Sequence, residues 1–347
     1  MKTLATPTSR DTADCALFGP SSVTWHLHAD PAMWAGGISA LHLQALHPLA
    51  ALGIVQNSSF ETDPFGRLFG TGSFIVATTW GTCARAEQAG ARVRAVHERL
   101  RIHDPRSGAL HRLDDPDLLL WVHCALVRSN LHAVQRGGLP LRARQADDYV
   151  REQRRIAALV GLAPGDAPGS VADLEDYLAG MRPVLTASAE ALDIHRFVSR
   201  PPLHGPHRAL RPIWSAASRL GYSLMPSWAH DLYGRPGRPA TVATGMLRAA
   251  RAAALLVPWR TRLGFPTRDL HQAVERLGRT ALPSRRRLRG RTTPTATDRS
   301  QRGPVQRRRS DLRRGFPLNI GLAGAVIQAE RHTQRVPDHE EIFMTDF

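Results

Sequence analysis

Apolar positions recur every three to four residues over most of the chain, and sustained strand-type alternation is absent. The pattern predicts helices over residues 32–55, 67–100, 116–134, 147–162, 170–194, 241–257 and 267–277. Asp30 before Pro31 supplies an N-cap followed by a residue suited to a first helical position. Pro48 predicts a kink in the first long helix, and Gly81 and Gly90 predict a bend or division in the second. Gly36 and Gly37 cost helix stability where they stand, which points to close approach by another backbone or a flat ligand. Ser170 and Asp173 have the spacing of a helix-capping pair. The stretch PDLLLWVHCALVRSNLHAV is apolar on nearly all sides and reads as a central helix. Residues 56–66 and 103–116 read as polar connections, and 201–237 as irregular or short-helical. The expected fold class is all-α, a single multi-helix domain of about eight helices in a bundle-like or globin-like arrangement.

A chain of 347 residues with 42% hydrophobic content can bury a sizeable core. No apolar run reaches the length of a membrane span, and no apolar core of a secretion signal follows Lys2. Cys15, Cys83 and Cys124 stand far apart. That spacing predicts reduced thiols, a cytoplasmic location and neither a disulfide framework nor a zinc site. The net charge is +16, but residues 285–314 hold twelve arginines against two aspartates, a net +10. Basicity so concentrated does not make the whole chain a nucleic-acid binder. The segment is rich in Ser, Thr, Pro and Gly and reads as disordered, either an arm for polyanions or a solvated linker. The expected organisation is a loose leader (1–20), a helical domain (21–280), the Arg-rich segment (281–316) and a C-terminal tail (317–347).

Familiar signatures are missing: no GxGxxG follows a strand, and no P-loop, HExxH or GxSxG occurs. His97 is the more informative position. Val93, Val96 and Leu100 share its helical face. An imidazole among aliphatic residues is a core histidine bonded to a carbonyl or an axial ligand for haem iron. Spacing alone weighs toward the first. His123 offers the same choice on the central helix.

Four blocks in order, DPAMWAGGISALHLQALHP, NSSFETDPFGRLFGT, WGTCARAEQAGARVRAVH and DDPDLLLWVHCAL, resemble the oxygenase family of the latex clearing proteins and MpaB. The resemblance implies an all-helical fold with a globin-like core, and haem b as cofactor. It places His97 on the proximal iron ligand and Arg67 and Thr71 on the polar pair beside the haem, the two candidates for a catalytic role. It places His123 in the WVH block as a further cofactor-pocket residue. With it, His97 reads as a ligand. The implied activity is O₂-dependent oxidation or cleavage of a small apolar substrate, isoprenoid in the characterised relatives. Rubber-cleaving members carry a lysine, able to serve as a distal ligand, immediately before the threonine; here that position is Gly70. A haem-free helical binding protein and a polyanion binder acting through the Arg-rich segment are the competing expectations.

Overall fold

Thirteen α-helices, three short 3₁₀ helices and one small hairpin make up the regular structure of the described residues, which in this computed structural model are 16–57, 64–203, 205–257, 267–284 and 287–288. In chain order they are α1 (Val23–Leu27), α2 (Met33–Gln44), α3 (Pro48–Asn57), α4 (Pro64–Trp80), α5 (Cys83–Arg99), β1 (Arg101–His103), β2 (Leu110–Arg112), α6 (Pro116–Arg136), α7 (Ala143–Leu159), α8 (Val171–Met181), α9 (Ala189–Ser199), α10 (Arg211–Ser223), α11 (Ser227–Tyr233), α12 (Ala240–Leu256) and α13 (Thr267–Leu277). The fold is all-α, as the periodicity predicts, but the helices are shorter and more numerous than expected.

The reasons are local. Pro48 does not kink one helix but opens a second. It has no N–H to give to Gln44, so α2 stops, and α3 leaves at an angle of 105° with Pro48 in its first turn. The long helix through 67–100 breaks at residues 81–82, where the Thr82 side chain caps α5 by accepting from Arg85 N–H. Gly90 stays inside α5, because a Cβ there would lie 2.7 Å from the Leu159 carbonyl oxygen. Pro183 divides 170–194: the Ser170 cap holds, α8 ends at Met181, and Ser188 caps α9. Residues 103–116 contain part of an antiparallel hairpin, with Arg101 opposite Arg112 and His103 opposite Leu110. Three-residue strands are too short for alternation to show. Residues 201–237 hold two regular helices, α10 and α11.

α6 is central, with Leu118, Trp121, Cys124, Val127 and Val134 buried. α2 lies along it, and Gly36 is the closest approach: a Cβ there would stand 2.8 Å from Asn130 Oδ1 and 3.0 Å from Asn130 Cα. The expected cost of Gly36→Val is about 1–3 kcal/mol from overpacking, read as a lower denaturant midpoint with unchanged slope.

Asp30 does not cap a helix at Pro31. Its carboxylate accepts the Ala32 N–H at 3.0 Å and pairs through both oxygens with Arg251 of α12, Nε to Oδ1 at 2.7 Å. Both side chains are about 5% exposed, so this ion pair is buried.

The N-terminal elements are held by residues far along the chain. Glu152 of α7 accepts the N–H groups of Val23 and Thr24 at 3.0 and 2.7 Å. The Trp25 indole N–H donates to the Ala281 carbonyl at 2.8 Å, and Ser284 N–H donates to His26 Nδ1 at 3.1 Å. Leu288 is buried and its carbonyl accepts from the Gln145 amide, so the helical body reaches past the boundary expected at 280. Apart from residues 281–284 and 287–288, the Arg-rich segment lies outside the described residues, as do the tail and most of the leader. The expectation of reduced thiols is corrected at one position: Cys83 is disulfide-bonded, whereas Cys124 is free and buried. Spacing along the chain does not report which cysteines meet in space, so the thiols give no argument for a reducing compartment. No single helix among the described residues is long and apolar enough to cross a membrane.

Candidate functional site

A two-residue connection folds α5 back along α4, making a helical hairpin. Its closed half is packed: Val76, Ala77, Trp80 and Ala86 are buried, and Trp25 meets Trp80 edge-on at 6.4 Å. Its open half is different. Gly70 and Thr71 are exposed, and a Cβ at Gly70 or Gly72 would meet nothing within 4 Å. Across the hairpin, His97 is half-buried with Val93, Val96 and Leu100. Arg67 stands thirteen residues before the end of α4 and His97 fourteen after the start of α5, so the two are nearly equidistant from the turn. The Arg67 side chain lies outside the described residues. The hairpin thus brings the expected backbone positions 67, 71 and 97 onto one pair of helices.

The orientation of α4 is fixed from behind. Thr71, Ile75 and Thr79 follow one another at i+4 along the helix. Thr79 Oγ1 donates to the Ile75 carbonyl at 2.6 Å, so it accepts from His28 Nδ1–H at 2.7 Å. That leaves His28 Nε2 to accept from the Tyr149 hydroxyl at 3.3 Å, and Tyr149 is in turn bonded to Asn130. His28 is fully buried, and burial pushes its pKa down to about 3, so it serves as a neutral connector. Residue-by-residue reading of WHLHADP gave no signal for this link, because its partners come from α4 and α7.

His123 stands on a third helix. It is buried on α6, whose main packing partners are α2, α7, α8, α3 and α12, whereas the hairpin packs chiefly on α1, α7 and α13. Burial lowers its pKa to about 4.

A haem group can be tested against these residues. No three His, Cys, Asp or Glu among the described residues converge to hold a bare metal ion. A macrocycle that brings four nitrogens asks the protein for one axial donor and a flat apolar berth. The sheltered imidazole of His97, its aliphatic neighbours and the open space beside Gly70 and Gly72 fit that demand.

A family model described as "ER-bound oxygenase mpaB/B'/Rubber oxygenase, catalytic domain" matches residues 25–281. No curated protein and no solved structure matches the chain.

Proposed function

Because the chain belongs to the family of mpaB and rubber-oxygenase catalytic domains, we propose that it is a haem b-dependent oxygenase acting on an apolar substrate of isoprenoid type. The observation that carries the reading is the open half of the α4–α5 hairpin, with a half-buried histidine on α5 and, on α4, glycines at which a Cβ would meet nothing within 4 Å. Bound haem would supply the redox-active iron for O₂ chemistry, which protein side chains lack.

The chain's own residues have definable tasks. His97 would hold the iron from one side, and Val93, Val96 and Leu100 would keep water from that side. Gly70 has no side-chain donor, so this position would offer bound haem no ligand and would leave space beside it. Arg67 suits a haem carboxylate, since a guanidinium is always charged and forks onto two oxygens. Thr71 adds a hydroxyl one turn along the same face. His28, by gripping Thr79, would set the rotation of α4 and hence the direction of Thr71.

Purified protein is expected to show the Soret absorption of a haem protein. His97→Ala should lose that band or shift it while far-UV circular dichroism stays unchanged. Full haem occupancy with an unaltered spectrum in His97→Ala would refute the ligand assignment. A wild-type protein that neither carries nor takes up haem would favour the haem-free binding protein.

A further inference from the structure

The side chain least explained by the fold is His42, in the last turn of α2. It is 0% exposed, and neither ring nitrogen has a hydrogen-bond partner. A buried polar atom left so costs free energy, and such atoms in native proteins call for a specific cause. Its ring lies 5.0 Å, centroid to centroid, from that of His195 on α9, tilted by 51°. His195 Nδ1 is also buried without a partner. The two planes do not meet in a hydrogen bond, yet three imidazole nitrogens lack a partner in one small volume.

The walls around them are fixed. Tyr222 of α10 packs 5.3 Å from His42 and 4.8 Å from His195, and its hydroxyl donates to the Arg235 carbonyl at 2.8 Å. Tyr233 of α11 packs 5.4 Å from His195, and its hydroxyl donates to the His42 carbonyl at 2.7 Å. His230 Nε2 donates to the Tyr222 carbonyl at 2.8 Å. These neighbours are committed by hydrogen bonds, and the two histidines are what remains.

We propose that His42 and His195 bind a first-row transition-metal ion, of which Zn²⁺ is the representative, and so clasp α2 to α9. Two imidazoles sharing a tetrahedral ion, with metal–nitrogen bonds of 2.0–2.1 Å, have ring centroids roughly 5 Å apart, which is the spacing found. Imidazole nitrogens suit zinc, copper and nickel. Burial disfavours the charged form of both rings, and a ligand must be neutral. Burial, then His195 and His230, pushes His42 down to about 3; burial, then Arg235, lowers His195. His195 is half-buried, so an ion can enter from its side and keep water in its remaining positions. The site is separate from the α4–α5 hairpin and does not rest on the haem reading.

The test uses the full-length protein, stripped with a chelator, with Zn²⁺ measured by equilibrium dialysis and Co²⁺ as a spectroscopic probe. Wild type is expected to bind one Zn²⁺ whose affinity falls at least about tenfold in both His42→Leu and His195→Ala. Bound Co²⁺ should give visible ligand-field bands in wild type that both variants lose, and Zn²⁺ should raise the melting temperature of wild type alone. The Soret band of haem-loaded protein should be the same in all three. No stoichiometric Zn²⁺ on wild type, or equal affinity in both variants, overturns the proposal. If His42→Leu does not fold, the half-buried His195→Ala decides alone.

Discussion

Replacing Asp30 by alanine is expected to destabilise the protein by about 3–5 kcal/mol, the usual cost of leaving one member of a buried ion pair alone. The Arg251 guanidinium would remain in a site where its side chain is 5% exposed, with no carboxylate to face. The Ala32 N–H would lose its acceptor as well. For a body of this size that corresponds to a fall in melting temperature of roughly 10 °C. The pair itself need not be net stabilising, since desolvating both charges offsets much of their attraction. Asp30→Leu combined with Arg251→Met should therefore recover most of the loss. A single substitution costing less than about 1 kcal/mol would show that Arg251 finds water or another acceptor, and that the pair is not the tie between α12 and the start of α2.

The second large effect is acid lability. Burial lowers the pKa of His28 to about 3 and of His123 to about 4; burial, then Arg128 and Arg136, lowers His132 to about 4. In the unfolded chain each titrates near 6.5. Below 6.5 the unfolded state therefore binds protons that the folded state refuses. Stability is complete above pH 6.5 and is lost as pH falls toward the folded values. Each histidine contributes a loss approaching about 1.4 kcal/mol per pH unit, or about 2 kcal/mol by pH 5. Three together give about 6 kcal/mol, comparable with the whole stability of many domains. Denaturant midpoints measured between pH 7.5 and 5 should fall steeply, and His28→Phe or His132→Gln should flatten the slope. A pH-independent midpoint over that range would mean these rings are solvated in the folded protein.

Much of the architecture was legible because helical periodicity survives in a single sequence. The apolar circumference of PDLLLWVHCALVRSNLHAV marked α6 as central, and Ser170 marked the start of α8. Helix ends were less legible: the breaks at 45–47, 81–82 and 182–188 depend on which carbonyl loses its donor and which side chain caps the restart, details that periodicity averages over. The face carrying His97 was visible from Val93, Val96 and Leu100, which are half-buried with it. Its pairing with α4 required knowing that the chain turns back at residue 81. The His42–His195 contact and the His28–Thr79 bond join elements distant along the chain, and nothing local at either member announces the other. Of the two glycines expected to mark close approach, Gly36 does so, whereas a Cβ at Gly37 would meet nothing within 4 Å; glycine alone does not tell a crowded face from an open one.

The anchoring of α1 determines when it can form. Five residues cannot sustain a helix alone. Val23 and Thr24 need the carboxylate of Glu152, 129 and 128 positions later, and the Trp25 indole needs Ala281, 256 positions later. Of the helices among the described residues, the one synthesised first is thus among the last to be completed. At roughly 5–20 residues per second, Trp25 waits on the order of 10–50 s for its partner to be synthesised. Throughout that interval a segment carrying Trp25 and Leu27, both buried in the finished protein, remains open to chaperones and to other nascent chains.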